Sequence, residues 1–212
     1  MKHTRIIPAV ILVVVMFAGC AHDQERIRPA EELFQEATEL AAKGNVEKAT
    51  DAFMEVRTYY PGHELARKAL LSLGDLNYDN GFYDSALRYY EEFRLLFPTD
   101  LEAPYALFKI GMCHYQQLTT VDRDQSQTVK TIETFETFLS TYPESPYADE
   151  ARARLADAQK LLAQHYIYIG KFYLKKEKYE AACRRFQYVK DQYPGLDLDD
   201  ELDELIQEAC AR

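Results

Sequence analysis

"LGDLNYDNGFYDSALRYYEEFRLLFP", residues 73–98, closes on an aromatic residue followed by proline, and three other places do the same: Tyr60-Pro61, Tyr142-Pro143 and Tyr193-Pro194. Aligned on the four prolines, the residue eight before is Phe53, Tyr90, Phe135 or Phe186, and the residue five before is Val56, Phe93, Phe138 or Val189. Twelve before come Ala49, Ala86, Thr131 and Ala182. Offsets of 12, 8, 5 and 1 step by four, three and four residues, so they share one face of an α-helix. That face is built for a core. Proline then ends the helix, because it has no amide proton to donate and biases the residue before it away from the helical region.

A second helix is expected ahead of each of these. Ala37, Gly74 and Gly170 stand twelve residues before the small residues of the first, second and fourth repeats, where a short side chain lets a neighbouring helix approach. The third repeat keeps this place as Gly111 but reaches Thr131 only after twenty residues, an insertion of eight. The inserted stretch includes "LTTVDRDQSQ", residues 118–127, which is polar and predicts an exposed loop. Between Pro143 and Gly170 lie 27 residues instead of the 13 between Pro61 and Gly74, and the extra 14 make close to four helical turns. Ser145 suits a helix cap and Pro146 a first helical position, so one long helix is predicted from about Pro146 to Lys176. The final stretch, "GLDLDDELDELIQEACAR", carries Leu198, Leu202, Leu205, Ile206 and Ala209 as an apolar stripe among seven acids. It predicts a single terminal helix that caps the open end of the stack, or that docks a basic partner through its acidic face.

Leu73, Gly74, Ala86, Tyr90 and Pro98 match the spacing of the tetratricopeptide pattern of Gly, Ala, aromatic and Pro. The period of 37 residues from Pro61 to Pro98 exceeds the usual ~34 by about one helical turn. The expected fold is all-α: a tetratricopeptide-type helical-repeat solenoid of about four and a half repeats with one long bridging helix. Residues 30–143 would hold the first three repeats, and residues 144–212 the bridging helix, the fourth repeat and the terminal helix.

The chain begins with Lys2 and Arg5, continues as an uncharged apolar run from Ile6 to Phe17, and reaches Ala18-Gly19-Cys20. This reads as a secretory signal peptide over residues 1–19, too short for a comfortable membrane span. Small residues directly before Cys20 resemble the lipobox of bacterial lipoproteins, in which the cysteine is acylated and becomes the first residue of the mature chain; Phe17 departs from the usual leucine. An ordinary cleavable signal with an incidental cysteine is the alternative. Residues 20–29 would then be a lipidated linker, with the acyl group on Cys20 as the one covalent addition and no cofactor. An aspartate after the cysteine commonly retains such lipoproteins at the inner membrane, and Ala21 holds that place here. The expected location is the outer membrane, lipid-anchored, on the periplasmic side.

Removal of residues 1–19 takes away Lys2 and Arg5 and no acid, so the formal charge moves from −10 to −12. An acidic body without a basic cluster repels phosphate backbones, which argues against nucleic-acid binding. Three further cysteines, Cys113, Cys183 and Cys210, form an odd and scattered set, unlike a disulfide framework. Cys113 and Cys183 sit among apolar residues and read as small buried hydrophobes. Zinc ligation by Cys113 and His114 is disfavoured, because neighbours on a helix point about 100° apart and no second ligand pair follows. There is no nucleophile elbow, zinc-protease motif, phosphate loop or dinucleotide turn, so no enzyme is expected. Sixteen tyrosines remain to be placed. Several occupy the core registers; Tyr59, Tyr78, Tyr89, Tyr105 and Tyr168 are candidates for a binding groove, with burial in the core as the equal alternative.

The stretch from Val121 to Phe186 places a Val-Asp-Arg loop, an aromatic helix, a Tyr-Pro turn and a long helix in one order. With the lipobox-like leader close ahead of the repeats, it resembles the BamD family, the tetratricopeptide lipoproteins of the β-barrel assembly machinery. The resemblance implies a non-enzymatic scaffold whose first three repeats receive the targeting sequences of unfolded outer-membrane proteins. It implies that the last repeats hold the final periplasmic domain of a BamA-like barrel protein, with other lipoproteins of the machinery nearby. The family's partner-binding arginine falls on Arg185, with Arg184 beside it. A tetratricopeptide pilotin would be expected to keep repeats nearer 34 residues. A cell-envelope coordinator lipoprotein would be expected to carry an N-terminal coiled coil, and a transglycosylase repeat domain would need a catalytic partner domain.

Overall fold

The computed structural model describes residues 28–212. The leader, Cys20 and most of the linker lie outside these residues. Among the described residues nine helices follow one another: α1 (Ala30–Ala42), α2 (Val46–Tyr59), α3 (Glu64–Asp79), α4 (Tyr83–Leu96), α5 (Ala103–Tyr115), α6 (Ser126–Thr141), α7 (Ala148–Lys175), α8 (Tyr179–Gln192) and α9 (Asp199–Cys210). Each packs on the next, and α1 also touches α3 while α5 touches α7. That is the contact pattern of stacked helix hairpins, in which the first helix of each pair meets the first helix of its neighbour.

The four aromatic-proline pairs do one job in one geometry. Tyr60, Phe97, Tyr142 and Tyr193 end α2, α4, α6 and α8 with φ between −130° and −132° and ψ between 51° and 59°. Each donates its amide to the carbonyl four residues back, at Val56, Phe93, Phe138 and Val189. The proline disfavours the helical ψ in the residue before it, so the last turn closes and the chain leaves. The small residues face the aromatic ring of the same repeat. A Cβ added at Gly74 would lie 2.6 Å from the Tyr90 ring, at Gly111 2.6 Å from Phe135, and at Gly170 2.4 Å from Phe186. Those rings are fully buried. The repeat register is therefore a lock between a hole on one helix and a ring on the next, and burying each ring contributes about 1.5–3 kcal/mol.

The long helix starts at Ala148, two residues later than Pro146, and ends at Lys175. Ser145 belongs to the turn instead: its carbonyl accepts from Ala148 N at 2.9 Å and its hydroxyl from Tyr147 N at 3.4 Å. The loop between α5 and α6 is exposed or half-buried until its end. Buried Gln125 donates to the carbonyls of Thr120 and Arg123, both at 3.0 Å, and accepts from Thr128 Oγ1 at 2.7 Å. His165 of α7 donates through Nδ1 to the Val121 carbonyl at 2.6 Å, tying the insertion to the bridging helix.

The terminal helix folds back on α8, burying Leu198, Leu202 and Ala209. This corrects the reading of Cys183 as a small buried hydrophobe: Cys183 is bonded to Cys210, 27 residues on. The spacing in sequence hid the pair because the α8–α9 hairpin, not local chain geometry, brings the two together. Cys113 is a free, fully buried thiol, and burial pushes it up to about 12.

Candidate binding trough and partner face

Two clefts open along α1 and α3, one reaching the start of α5 and the other reaching α2. One of about 310 Å³ is bordered by Phe34, Arg67, Ser72, Asp75, Glu102 and Tyr105. The other, about 400 Å³, takes in Thr38, Phe53, Asp79 and again Ser72 and Asp75. The shared residues make them one trough along the first helices of the first three repeats. Helical spacing explains the arrangement: Arg67, Leu71, Ser72, Asp75 and Asp79 recur at intervals of three and four on α3, opposite the stripe that carries Leu70, Leu73 and Gly74 into the core.

Asp75 organises this trough. Its Oδ1 accepts from Tyr90 at 2.6 Å and also from Tyr105. Burial first, and then the Asp75 carboxylate, push the Tyr90 phenol far above its ordinary value; burial and the bond to Asp75 do the same for Tyr105. Both therefore stay protonated donors. The Tyr105 ring meets Tyr90 edge-on at 6.3 Å and Tyr147 at 5.6 Å. Lys109 of α5 rests its ammonium 3.3 Å from the Tyr78 ring centroid, and desolvation lowers its pKa. Arg67 is engaged at the trough's edge by Asp100 at 3.0 Å and Glu64 at 3.8 Å. The result is a preorganised surface with acidic, phenolic and apolar elements, and no nucleophile beside a base among the described residues that line it.

Of the tyrosines singled out from sequence, Tyr105 lines the trough. Tyr78 sits at the end of α3, edge-on to Tyr83 at 5.5 Å and accepting from Gln116 at 3.2 Å. Tyr59 is exposed on α2, and Tyr89 is half-buried on α4 between two core clusters; neither borders the two clefts. Tyr168 is exposed on α7, one turn before exposed Phe172. Asp75 and its bond to Tyr90 escaped the sequence reading. The signal was a core tyrosine whose hydroxyl needs an acceptor, together with an acid directly after the conserved-spacing glycine of the same repeat.

At the other end, α8 separates its two arginines, since successive helical residues point about 100° apart. Arg184 is exposed and paired with Glu180 at 2.8 Å. It borders a cavity of about 620 Å³ with Tyr179, the disulfide and Arg212. Arg185 is half-buried, its guanidinium 5.7 Å from the Tyr166 ring centroid. Tyr166, Tyr188 and Tyr193 form an aromatic cluster with centroids 5.1–6.5 Å apart. Among the described residues no helix is long and apolar enough to cross a membrane.

The architecture and the trough define, over the described residues, an all-α helical-repeat protein of the tetratricopeptide type. Residues 26–209 match the family described as YfiO, an outer membrane lipoprotein, and the chain belongs to that family. It is 30% identical over 191 residues to the outer membrane protein assembly factor BamD of Caulobacter vibrioides, covering 87% of this chain and 63% of that one. The chain thus spans less than two thirds of that relative's length. The BamD of Rickettsia prowazekii is 27% identical over 196 residues, covering 91% and 78%. Among solved structures, a thermophilic tetratricopeptide protein of Thermus thermophilus superposes with a TM-score of 0.43 at 18% identity, covering 84% of this chain and all of that one.

Proposed function

We propose that this chain is a non-enzymatic scaffold lipoprotein of outer-membrane β-barrel assembly, anchored through an acylated Cys20 on the periplasmic side. Its trough receives the targeting sequences of unfolded outer-membrane proteins, and its fourth repeat holds a BamA-like barrel protein. The observation that carries this reading is the spatial division of the chain: a preorganised Asp75–Tyr105 trough on α1, α3 and α5, joined by the 28-residue α7 to a repeat that presents Arg185 over Tyr166. The family and the names of its relatives supply the setting. In that setting Arg185 is the better partner contact of the two arginines, because Arg184 already has Glu180.

A photoreactive peptide with an aromatic C-terminal residue tests the first half. Cross-links are expected on α1, α3 and α5, and cross-links confined to α8 and α9 would sink the assignment. Affinity purification from envelopes tests the second half. Arg185→Glu is expected to lose a BamA-like barrel that the wild-type chain and Arg184→Glu both retain; recovery of a secretin in place of that barrel favours the pilotin reading.

A further inference from the structure

A separate groove of about 450 Å³ opens between the start of α5 and the turn from α6 to α7. Leu101 forms part of its border and is 96% exposed, an aliphatic side chain left almost wholly in water. Tyr105 and Tyr147 contribute two rings tilted by 50° with centroids 5.6 Å apart. Neither ring is free to collapse: Tyr147 stacks on Phe108 at 4.9 Å and 17°, and Tyr105 donates its hydroxyl to Asp75. The opposite side is the third aromatic-proline turn, Tyr142-Pro143, continued by Pro146. The only charged side chains that line the groove are Glu102 and Glu144.

These features select among ways of binding a chain. Strand addition needs a sheet edge, and the described residues around the groove are helices and turns. A partner helix needs an apolar channel several turns long, whereas this groove is short. A polyproline-II segment fits: it is rigid before binding, its apolar pyrrolidine rings pack between tilted aromatic rings, and its carbonyls, which bond nothing internally, need donors. Tyr142 and Tyr147, which line the groove, carry hydroxyls able to donate. Arg152, whose guanidinium reaches the Pro143 carbonyl at 3.4 Å, is already paired with Asp149 at 2.7 Å, so the two lining carboxylates call for a basic residue in the ligand. We propose that this groove is a docking site for a polyproline-II segment of another protein that carries lysine or arginine beside its prolines. It adjoins the trough through Glu102 and Tyr105 but does not depend on what the trough binds.

Fluorescence anisotropy on the detergent-solubilised full chain tests this with a labelled peptide of about ten residues, mostly proline with lysine at both ends. Control peptides replace proline by alanine or lysine by glutamate. Saturable binding of the first peptide is expected, at least tenfold tighter than either control. Leu101→Ser, at a site too exposed to disturb folding, is expected to weaken it about tenfold, and Glu144→Lys is expected to weaken it as well. Thr38→Arg, in the trough, leaves this binding unchanged, so failure of the scaffold reading is distinguishable. Absence of saturable binding, equal binding of a control peptide, indifference to both groove substitutions, or loss on Thr38→Arg overturns the proposal. So does self-association in sedimentation that Leu101→Ser abolishes, which would make a second copy the occupant.

Discussion

Gly170→Ala puts the hole-and-ring lock to the test. A methyl group there would sit 2.4 Å from Cε1, 2.8 Å from Cζ and 2.9 Å from Cδ1 of Phe186. Phe186 is fully buried and packed with Ala182 and Val189, so its ring cannot swing aside without opening the α7–α8 contact. Overpacking of this kind costs about 1–3 kcal/mol, and with three atoms inside 3.0 Å the upper half of that range applies. Replacing glycine inside a helix contributes about 0.8–1.0 kcal/mol the other way. The expected net loss is about 1–2 kcal/mol, or roughly 2–8 °C in Tm for a chain of this size. Thermal unfolding followed by circular dichroism at 222 nm measures it. Gly62→Ala is the control, since a Cβ there meets nothing within 4 Å, and its Tm is expected to stay level or rise. Adding Phe186→Leu to Gly170→Ala should show coupling, the double variant losing less than the sum of the single changes. A Tm for Gly170→Ala equal to or above wild type would refute the lock.

Opening the α8–α9 disulfide is expected to cost about 3.6 kcal/mol in the chain-entropy treatment of a 27-residue loop. Urea unfolding of a Cys183→Ser, Cys210→Ser double variant against wild type reads that loss, and hydrogen exchange should place the faster amides in α9. Stability should fall as pH rises above about 9. The Cys113 thiol is held up to about 12 and the Tyr90 phenol above its ordinary range, so both stay protonated when folded and release protons on unfolding. Denaturation series at pH 7, 9 and 10.5 check this, and a flat profile would contradict it. Cys20→Ser should abolish palmitate labelling and shift the chain out of the outer-membrane fraction; unchanged labelling would remove the anchor.

The order of elements was legible because helical periodicity and proline chemistry are local. Four prolines with the same apolar offsets imply four helices of the same kind, and the structure ends all four with nearly the same φ and ψ. Gly74, Gly111 and Gly170 were readable as close-approach points for the same reason. The exact start of α7 was not, because Ser145 and Pro146 suit a turn as well as a helix entry, and the turn's hydrogen bonds decide between them.

Sequence alone determined the repeat, the core face of each helix, the long bridge and the family resemblance, since all of these depend on spacing along one chain. Tertiary structure decided what meets across the stack. It joined Cys183 to Cys210, set Asp75 between Tyr90 and Tyr105, and laid Arg185 over the Tyr166 ring of the preceding helix. Those pairings depend on how one hairpin lies against the next, and that is fixed by packing between rings and holes far apart in sequence.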